Sequence, residues 1–257
     1  INKKDLYEKH LVPYKEAIDN DVLTIMASFN SYNGLKCHAN DYLFNKLLKK
    51  ELNFKGFVIS DWRGIDEIPG DYKSDIITSI NSGIDMIMVP GDTIWGGEPY
   101  HKFLKLFKES VNEGSISEER LNDAVFRILK VKHQMGLFDN PYASKKYIKD
   151  FGSKKHRNIA REAVRKSLVL LKNDNDILPL SKNIKNIHVA GIGANNIGMQ
   201  CGGWTIEWQG KMGNITEGTT ILDGIKSSLS SETIISYSED GKNVSDADVG
   251  IIVIGEK

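Results

Sequence analysis

Lys55-Gly56-Phe57-Val58-Ile59-Ser60-Asp61-Trp62 is the stretch on which the reading of this chain turns. Its aromatic and β-branched run, Phe57 to Ile59, has the composition of a buried strand. A serine, a carboxylate and an indole follow, so Asp61 stands at the strand's exit. In a barrel of parallel strands that end faces the active site. An acid beside an aromatic plate suits sugar chemistry, because the carboxylate can attack an anomeric carbon while the indole covers an apolar sugar face. The competing structural role for Ser60-Asp61 is to cap the next helix. For Trp62 it is plain core packing.

Outward from this strand the first half alternates strand-like and helix-like segments. Residues 22–28 (VLTIMAS) and 85–89 (DMIMV) read as strands, the second stopped by Pro90-Gly91. Residues 41–52 read as an amphipathic helix capped by Asn40 or Asp41. Further helices are expected over 74–81, ended by Gly83, and over 102–112, ended by Gly114. Ser117 opens another, which ends near Met135-Gly136. This rhythm implies a parallel sheet with crossover helices. Three or so units do not close an eight-stranded barrel, so the sheet is either open or the last part of a barrel.

Residues 138–153 break the rhythm with a polar stretch containing Pro141 and Gly152. A long helix over 157–172 is expected next. Residues 187–190, 233–237 and 249–254 read as strands of a second sheet, with a helix near 222–229. The expected division is a partial barrel over 1–143, a linker over 144–156 and a second α/β domain over 157–257.

The chain has 257 residues, with 34 basic and 34 acidic side chains and no net charge. That balance gives no sign of a nucleic-acid or anionic-membrane partner. No apolar run is long enough to span a bilayer. Two cysteines, Cys37 and Cys201, allow one disulfide but read more readily as unpaired thiols. No His/Cys cluster suggests a metal. Asn214-Ile215-Thr216 and Asn243-Val244-Ser245 fit the short glycosylation pattern. The chain opens on Ile1 and closes on Glu256-Lys257 directly after an apolar run, and both ends read as cut.

Gly202-Gly203-Trp204-Thr205-Ile206-Glu207-Trp208-Gln209-Gly210 puts two indoles and a carboxylate into one glycine-flanked loop. Loops rarely keep so much apolar surface without a use. Indole faces stack on the C–H face of a pyranose. The alternative is that the tryptophans tuck under their own domain. The loop at Gly191-Ile192-Gly193 follows a strand, but its third glycine, Gly198, comes two positions late for a dinucleotide fingerprint, and no obvious helix follows. The histidines, among them His38, His133 and His188, read as structural or exposed. Asp85 reads as structural and Glu67 as a solvated group close to Asp61 in the chain.

Phe54 to Trp62 resembles the nucleophile motif of family-three glycoside hydrolases. Tyr32-Asn33-Gly34 with His38-Ala39-Asn40 is similar to the segment upstream of that motif. Residues 83–90 (GIDMIMVP) resemble the next barrel strand, and residues 160–173 (AREAVRKSLVLLKN) the helix entering the second domain. The Gly202 to Gly210 loop is similar to the β-glucosidase and β-glucan exohydrolase branch. The resemblance covers nearly the whole chain.

It implies an α/β fold: the C-terminal part of a (β/α)8 TIM-type barrel followed by the start of an α/β sandwich, with the active site between them. It implies a retaining, exo-acting β-glucosidase that releases glucose from a β-glucoside or β-glucan oligosaccharide and needs no cofactor. Asp61 matches the nucleophile. Trp62 and Trp208 match tryptophans that pinch the sugar, and Met26 matches a residue lining the same pocket. Retaining enzymes place a second carboxyl roughly 5–5.5 Å from the nucleophile. In this branch it lies in a Gly-Glu-x-Pro-Tyr-x-Glu motif, which Gly255-Glu256-Lys257 begins. The acid/base is therefore expected a few residues beyond Lys257, is neither Glu256 nor Glu207, and these 257 residues alone are expected to be inactive. An open barrel is also expected to expose apolar edges and to aggregate. Phe29 stands where many relatives carry tyrosine, and Glu67 where some plant relatives carry arginine. Both bear on linkage preference. The resemblance further implies a periplasmic or secreted protein. An N-acetyl-β-glucosaminidase of the same family and a noncatalytic carbohydrate-binding relative are the alternatives, and a nucleotide-dependent enzyme is a more distant one.

Overall fold

The computed structural model describes residues 1–90, 99–244 and 246–256. Gly91, Ser245 and Lys257 lie outside the described residues, and with them part of the expected strand stop, of one glycosylation pattern and of the acid/base motif. The chain divides into two compact units, Ile1–Lys149 and Asp150–Lys257.

In the first unit, short α1 (Lys3–Asp5) and α2 (Val12–Asp19) lead to β1 (Thr24–Met26), the centre of the expected 22–28 strand. Asn33-Gly34, with φ of 50° and 86°, then turns β2 (Ser31–Tyr32) back onto antiparallel β3 (Leu35–Lys36). Two consecutive positive φ angles are what a tight hairpin turn demands, and Asn-Gly supplies them. A helix with wide i→i+5 bonds follows over Tyr42–Glu51, and Asn40 Oδ1 accepts the Leu43 N–H at 3.2 Å at its start. β4 (Phe57–Ile59) pairs in parallel with β1, with Met26 opposite Ile59. Ile25, Ala27, Phe44, Leu48, Phe54, Val58 and Ile84 form the core beneath this sheet. Side chains alternate along a strand, so Met26 points to the face opposite these residues.

The strand expected over 85–89 is reduced to one parallel bridge between Met86 and Ile59. The reason is that side chains replace ladder partners at both ends. Asp85 Oδ2 accepts the Val58 N–H at 2.9 Å, and Ser60 Oγ accepts the Met88 N–H at 2.7 Å. α3 (Tyr72–Asn81), capped by Asp71, packs with α4 (Tyr100–Asn112) around Ile65, Ile76, Ile80 and Ile116. α5 (Glu118–Gln134) starts at Ser117, whose Oγ accepts the Arg120 N–H at 3.1 Å.

At the N-terminal edge of β4 lies a buried ionic network. The Asp85 carboxylate has no exposed surface; it meets Lys49 Nζ at 2.7 Å and the Arg120 guanidinium. Arg127 donates to the carbonyls of Phe54 at 3.1 Å and Gly56 at 2.9 Å. Burial pushes Lys49 down to about 8, against the pull of Asp85. The network ties α5 and the 42–51 helix to the bottom of the sheet, the end where barrels keep stability rather than chemistry.

In the second unit, α6 spans Lys154–Ser167. It starts inside the expected linker and ends before Leu168. Continuing it would have set Leu168, Val169, Leu170 and Leu171 all round a polar helix, which no amphipathic face accommodates. Leu168 is extended, and all four side chains are 65–90% exposed. β5 (Asn186–Ala190) is the centre of a three-stranded parallel sheet, between β6 (Ile234–Ser238) and β7 (Val249–Ile252). Ile187, Val189, Ala194 and Leu222 form its core with α8 (Ile221–Ser228). α7 (Ile197–Cys201) stands where the sequence suggested no helix; Asn196 caps it by accepting the Met199 N–H at 2.9 Å. Both cysteines are free thiols.

Candidate active site

Asp61 leaves β4 at its C-terminal end and opens a turn closed by the Gly64 N–H on the Asp61 carbonyl at 3.1 Å. Arg63 takes the left-handed conformation there, φ 56°. The 3₁₀ turn that follows, Gly64–Glu67, has no side-chain cap, so Asp61 does not serve the capping role open to it on sequence. Instead Asp61 Oδ1 accepts the Trp62 N–H at 2.6 Å. Its Oδ2 has no protein partner among the described residues.

The backbone of Asp61 is held from below. His38, fully buried on the 3₁₀ turn Cys37–Ala39, accepts the Asp61 N–H on Nε2 at 3.0 Å. Burial pushes this imidazole down to about 4, with Lys36 adding to the effect and Asp61 opposing it. His38 is therefore neutral at ordinary pH. The sequence marked it only as structural or exposed. The signal available was a histidine between Cys37 and Ala39 in a segment too short to solvate it.

Trp62 is 44% exposed and Met26 51% exposed, so neither is committed to the core. Met26 stands beside Ile59 in register, two residues before Asp61 in β4's chain direction, so Asp61, Trp62 and Met26 belong to one end of one sheet. Glu67 is not simply solvated: Lys36 Nζ lies 3.5 Å from its carboxylate and 5.5 Å from the centre of the Phe29 ring. The two departures from the family pattern are thus linked through one lysine.

On the second unit, Trp204 and Trp208 stand edge to face, centroids 6.2 Å apart. The Trp204 N–H donates to the Trp208 carbonyl at 3.0 Å, which closes the loop. Trp204 is 85% exposed and so is not tucked under its own domain. Glycines of the Gly191 loop are packed against the chain's own backbone. A Cβ on Gly191 would meet the Val253 carbonyl oxygen at 2.0 Å, and one on Gly198 the Lys211 carbonyl oxygen at 1.8 Å. These glycines admit the chain's own backbone, not a phosphate. His188 bridges Ser236 and Ser238 hydroxyls at 2.7 and 3.0 Å and is structural. Among the described residues no cluster of His, Cys, Asp or Glu has a metal-binding arrangement. No helix among them is long and apolar enough to cross a membrane.

Residues 1–131 match the sequence profile of the glycosyl hydrolase family 3 N terminal domain, and residues 168–257 that of the glycosyl hydrolase family 3 C-terminal domain. The chain is 34% identical over 214 residues to a lysosomal beta glucosidase of Dictyostelium discoideum, which covers 79% of the chain and 25% of that protein. It is 30% identical over 263 residues to a periplasmic beta-glucosidase of Salmonella typhimurium, covering 98% of the chain and 32% of that protein. The solved exo-1,3/1,4-beta-glucanase of a Pseudoalteromonas species superposes with a TM-score of 0.82 at 39% identity, over 100% of this chain and 32% of that one. The chain therefore spans a quarter to a third of the length of these relatives.

Proposed function

Because the chain belongs to glycosyl hydrolase family 3, we propose that it is the nucleophile-bearing part of a retaining, exo-acting β-glucosidase that releases glucose from the non-reducing ends of β-glucosides or β-glucan oligosaccharides. The fold is the C-terminal part of a TIM-type barrel followed by an α/β sandwich. The observation that carries the reading is Asp61 at the C-terminal end of a barrel strand, with one carboxylate oxygen unpartnered and an exposed indole next in the chain.

In this reading Asp61 Oδ2 attacks the anomeric carbon as the glycosidic oxygen leaves with a proton from a second carboxyl group. Water, deprotonated by that same group, then releases the sugar and regenerates the carboxylate. Trp62 supplies a stacking face for the sugar and Met26 an apolar wall, and Trp208 is proposed by resemblance as a sugar-stacking residue of the second unit. The acid/base lies outside residues 1–257, so this polypeptide by itself is expected to give no measurable turnover. Domain limits of 1–143 and 157–257 are proposed with it, and a periplasmic or secreted location by likeness to the Salmonella relative.

The test uses the full-length protein and an activated 2-deoxy-2-fluoro-β-glucoside, which slows the second step and accumulates the covalent intermediate. Peptide mapping by mass spectrometry is expected to find one sugar on Asp61. An adduct on another carboxylate, or none on protein that binds glucose, overturns the assignment.

A further inference from the structure

We propose that His38 is a positioning residue for the Asp61 carboxylate: its imidazole, acting as a hydrogen-bond acceptor from beneath, fixes the backbone at which the strand releases Asp61. The inference rests on the reading of Asp61 as nucleophile.

N–H groups along a parallel strand alternate between its two neighbours. The Phe57 N–H donates to the Leu23 carbonyl on the β1 side, and the Ser60 N–H to the Met86 carbonyl on the other. By this period of two, the Asp61 N–H points to the β1 side. There β1 has already ended at Met26 and makes its last cross-strand bond from the Ala27 N–H to the Ile59 carbonyl at 2.8 Å. A buried amide left unpaired at that point is costly and free to tilt. His38 Nε2 takes the place of the missing carbonyl.

Three features suit the ring to that task. It sits on a turn that is itself pinned, the Cys37 N–H donating to the Asn30 carbonyl at 3.1 Å and the Asn40 N–H to the Cys37 carbonyl at 3.0 Å. It is seated against Gly64, where a Cβ would come within 2.2 Å of Nε2 and 2.4 Å of Cε1. Gly64 closes the Asp61 turn, so the ring touches both ends of the same turn. Finally, its Nδ1 is buried with no protein hydrogen-bond partner among the described residues, so no protein donor there holds the ring in the Nε2-protonated tautomer, which could not accept from Asp61. An acceptor on Nε2 requires the neutral ring with its proton on Nδ1, and burial keeps His38 in that form.

The test compares His38→Leu, His38→Gln and Gly64→Ala in the full-length protein. Leucine keeps bulk without an acceptor, glutamine places an amide oxygen near the Nε2 position, and the added methyl displaces the intact ring. A misplaced reacting group costs about 100-fold in rate. His38→Leu and Gly64→Ala are each expected to lower kcat by about that factor, with KM held within about twofold and Asp61 labelling by the fluoro-sugar slowed in parallel. His38→Gln is expected to recover most of the kcat. Deuterium exchange at the Asp61 peptide should rise in the leucine variant and not in the glutamine one. Folded His38→Leu protein with unchanged kcat overturns the proposal, and so does glutamine no better than leucine. If His38→Leu does not fold, Gly64→Ala with unchanged kcat overturns it. Wild-type protein that takes no sugar on Asp61 overturns instead the reading on which this inference stands.

Discussion

Replacing Asp61 with glycine in the full-length protein is expected to lower kcat on an aryl β-glucoside by roughly 10⁴-fold, because the covalent step loses its proposed nucleophile and no neighbour can substitute. The nearby carboxylates are engaged elsewhere. Asp66 lies 3.4 Å from Arg63 Nε, Glu67 is paired with Lys36, and Asp85 is buried in the ionic network. Asp61 alone combines the strand exit with an oxygen that meets no protein donor among the described residues. The fold is expected to survive, since the Asp61 backbone keeps its bonds to His38 and Gly64 and only the contact to the Trp62 amide is lost. A sharper result follows from added azide. The small anion fits the space left by the carboxylate and attacks the anomeric carbon from the same face. A dinitrophenolate leaving group departs without needing a proton. The bond formed is carbon–nitrogen, the bond broken is the glycosidic carbon–oxygen bond, and the product is α-glucosyl azide. Recovery of turnover with that single anomer, read by NMR, supports Asp61 as the attacking group. A folded variant that keeps a tenth of its activity without azide rules it out.

Replacing Asp85 with alanine is expected to destabilise the first unit by about 3–5 kcal/mol, since removing one partner of a buried pair leaves the other charges uncompensated. Lys49 is 7% exposed and Arg120 13% exposed, and both direct their charge at this carboxylate. The Val58 amide loses its acceptor as well. Single domains are stable by only about 5–15 kcal/mol, so the loss takes up much of the margin. Urea unfolding monitored by deuterium exchange of the β4 peptide reads this locally. A shift below about 1 kcal/mol would mean the network adds little. Asp85→Asn keeps an oxygen for the Val58 N–H and is expected to fall between wild type and alanine.

The same network predicts a pH dependence. Lys49 is held at about 8, below its ordinary 10.5. The unfolded chain therefore binds the extra proton between these values, and stability rises with pH across that window. The contribution is present in full above the unfolded value and is lost as pH falls through about 8. Wild-type melting temperature minus that of Lys49→Met is expected to increase from pH 8 to 10.5. A flat difference would place the lysine's ionisation outside that range.

The local chain determined much of this protein. Asn33-Gly34 encodes its hairpin, through a turn signal that the strand-and-helix rhythm alone leaves unused. Ser117 caps its helix, and the strand run ending in Asp61-Trp62 holds the proposed nucleophile in a contiguous segment. Contiguous features are legible because strand period, caps and turn residues act over a few bonds. Tertiary structure decided what depends on residues distant in sequence. The 85–89 segment bridges β4 at one residue because Asp85 and Ser60 side chains take over the remaining bonds. In the Gly191 loop, which on spacing only failed a nucleotide motif, Gly191 and Gly198 pack against the carbonyls of Val253 and Lys211. His38 lies 23 residues before Asp61. No spacing rule links them, because the bond between them exists only once β1 has ended, the hairpin has turned, and burial has stripped the imidazole of water.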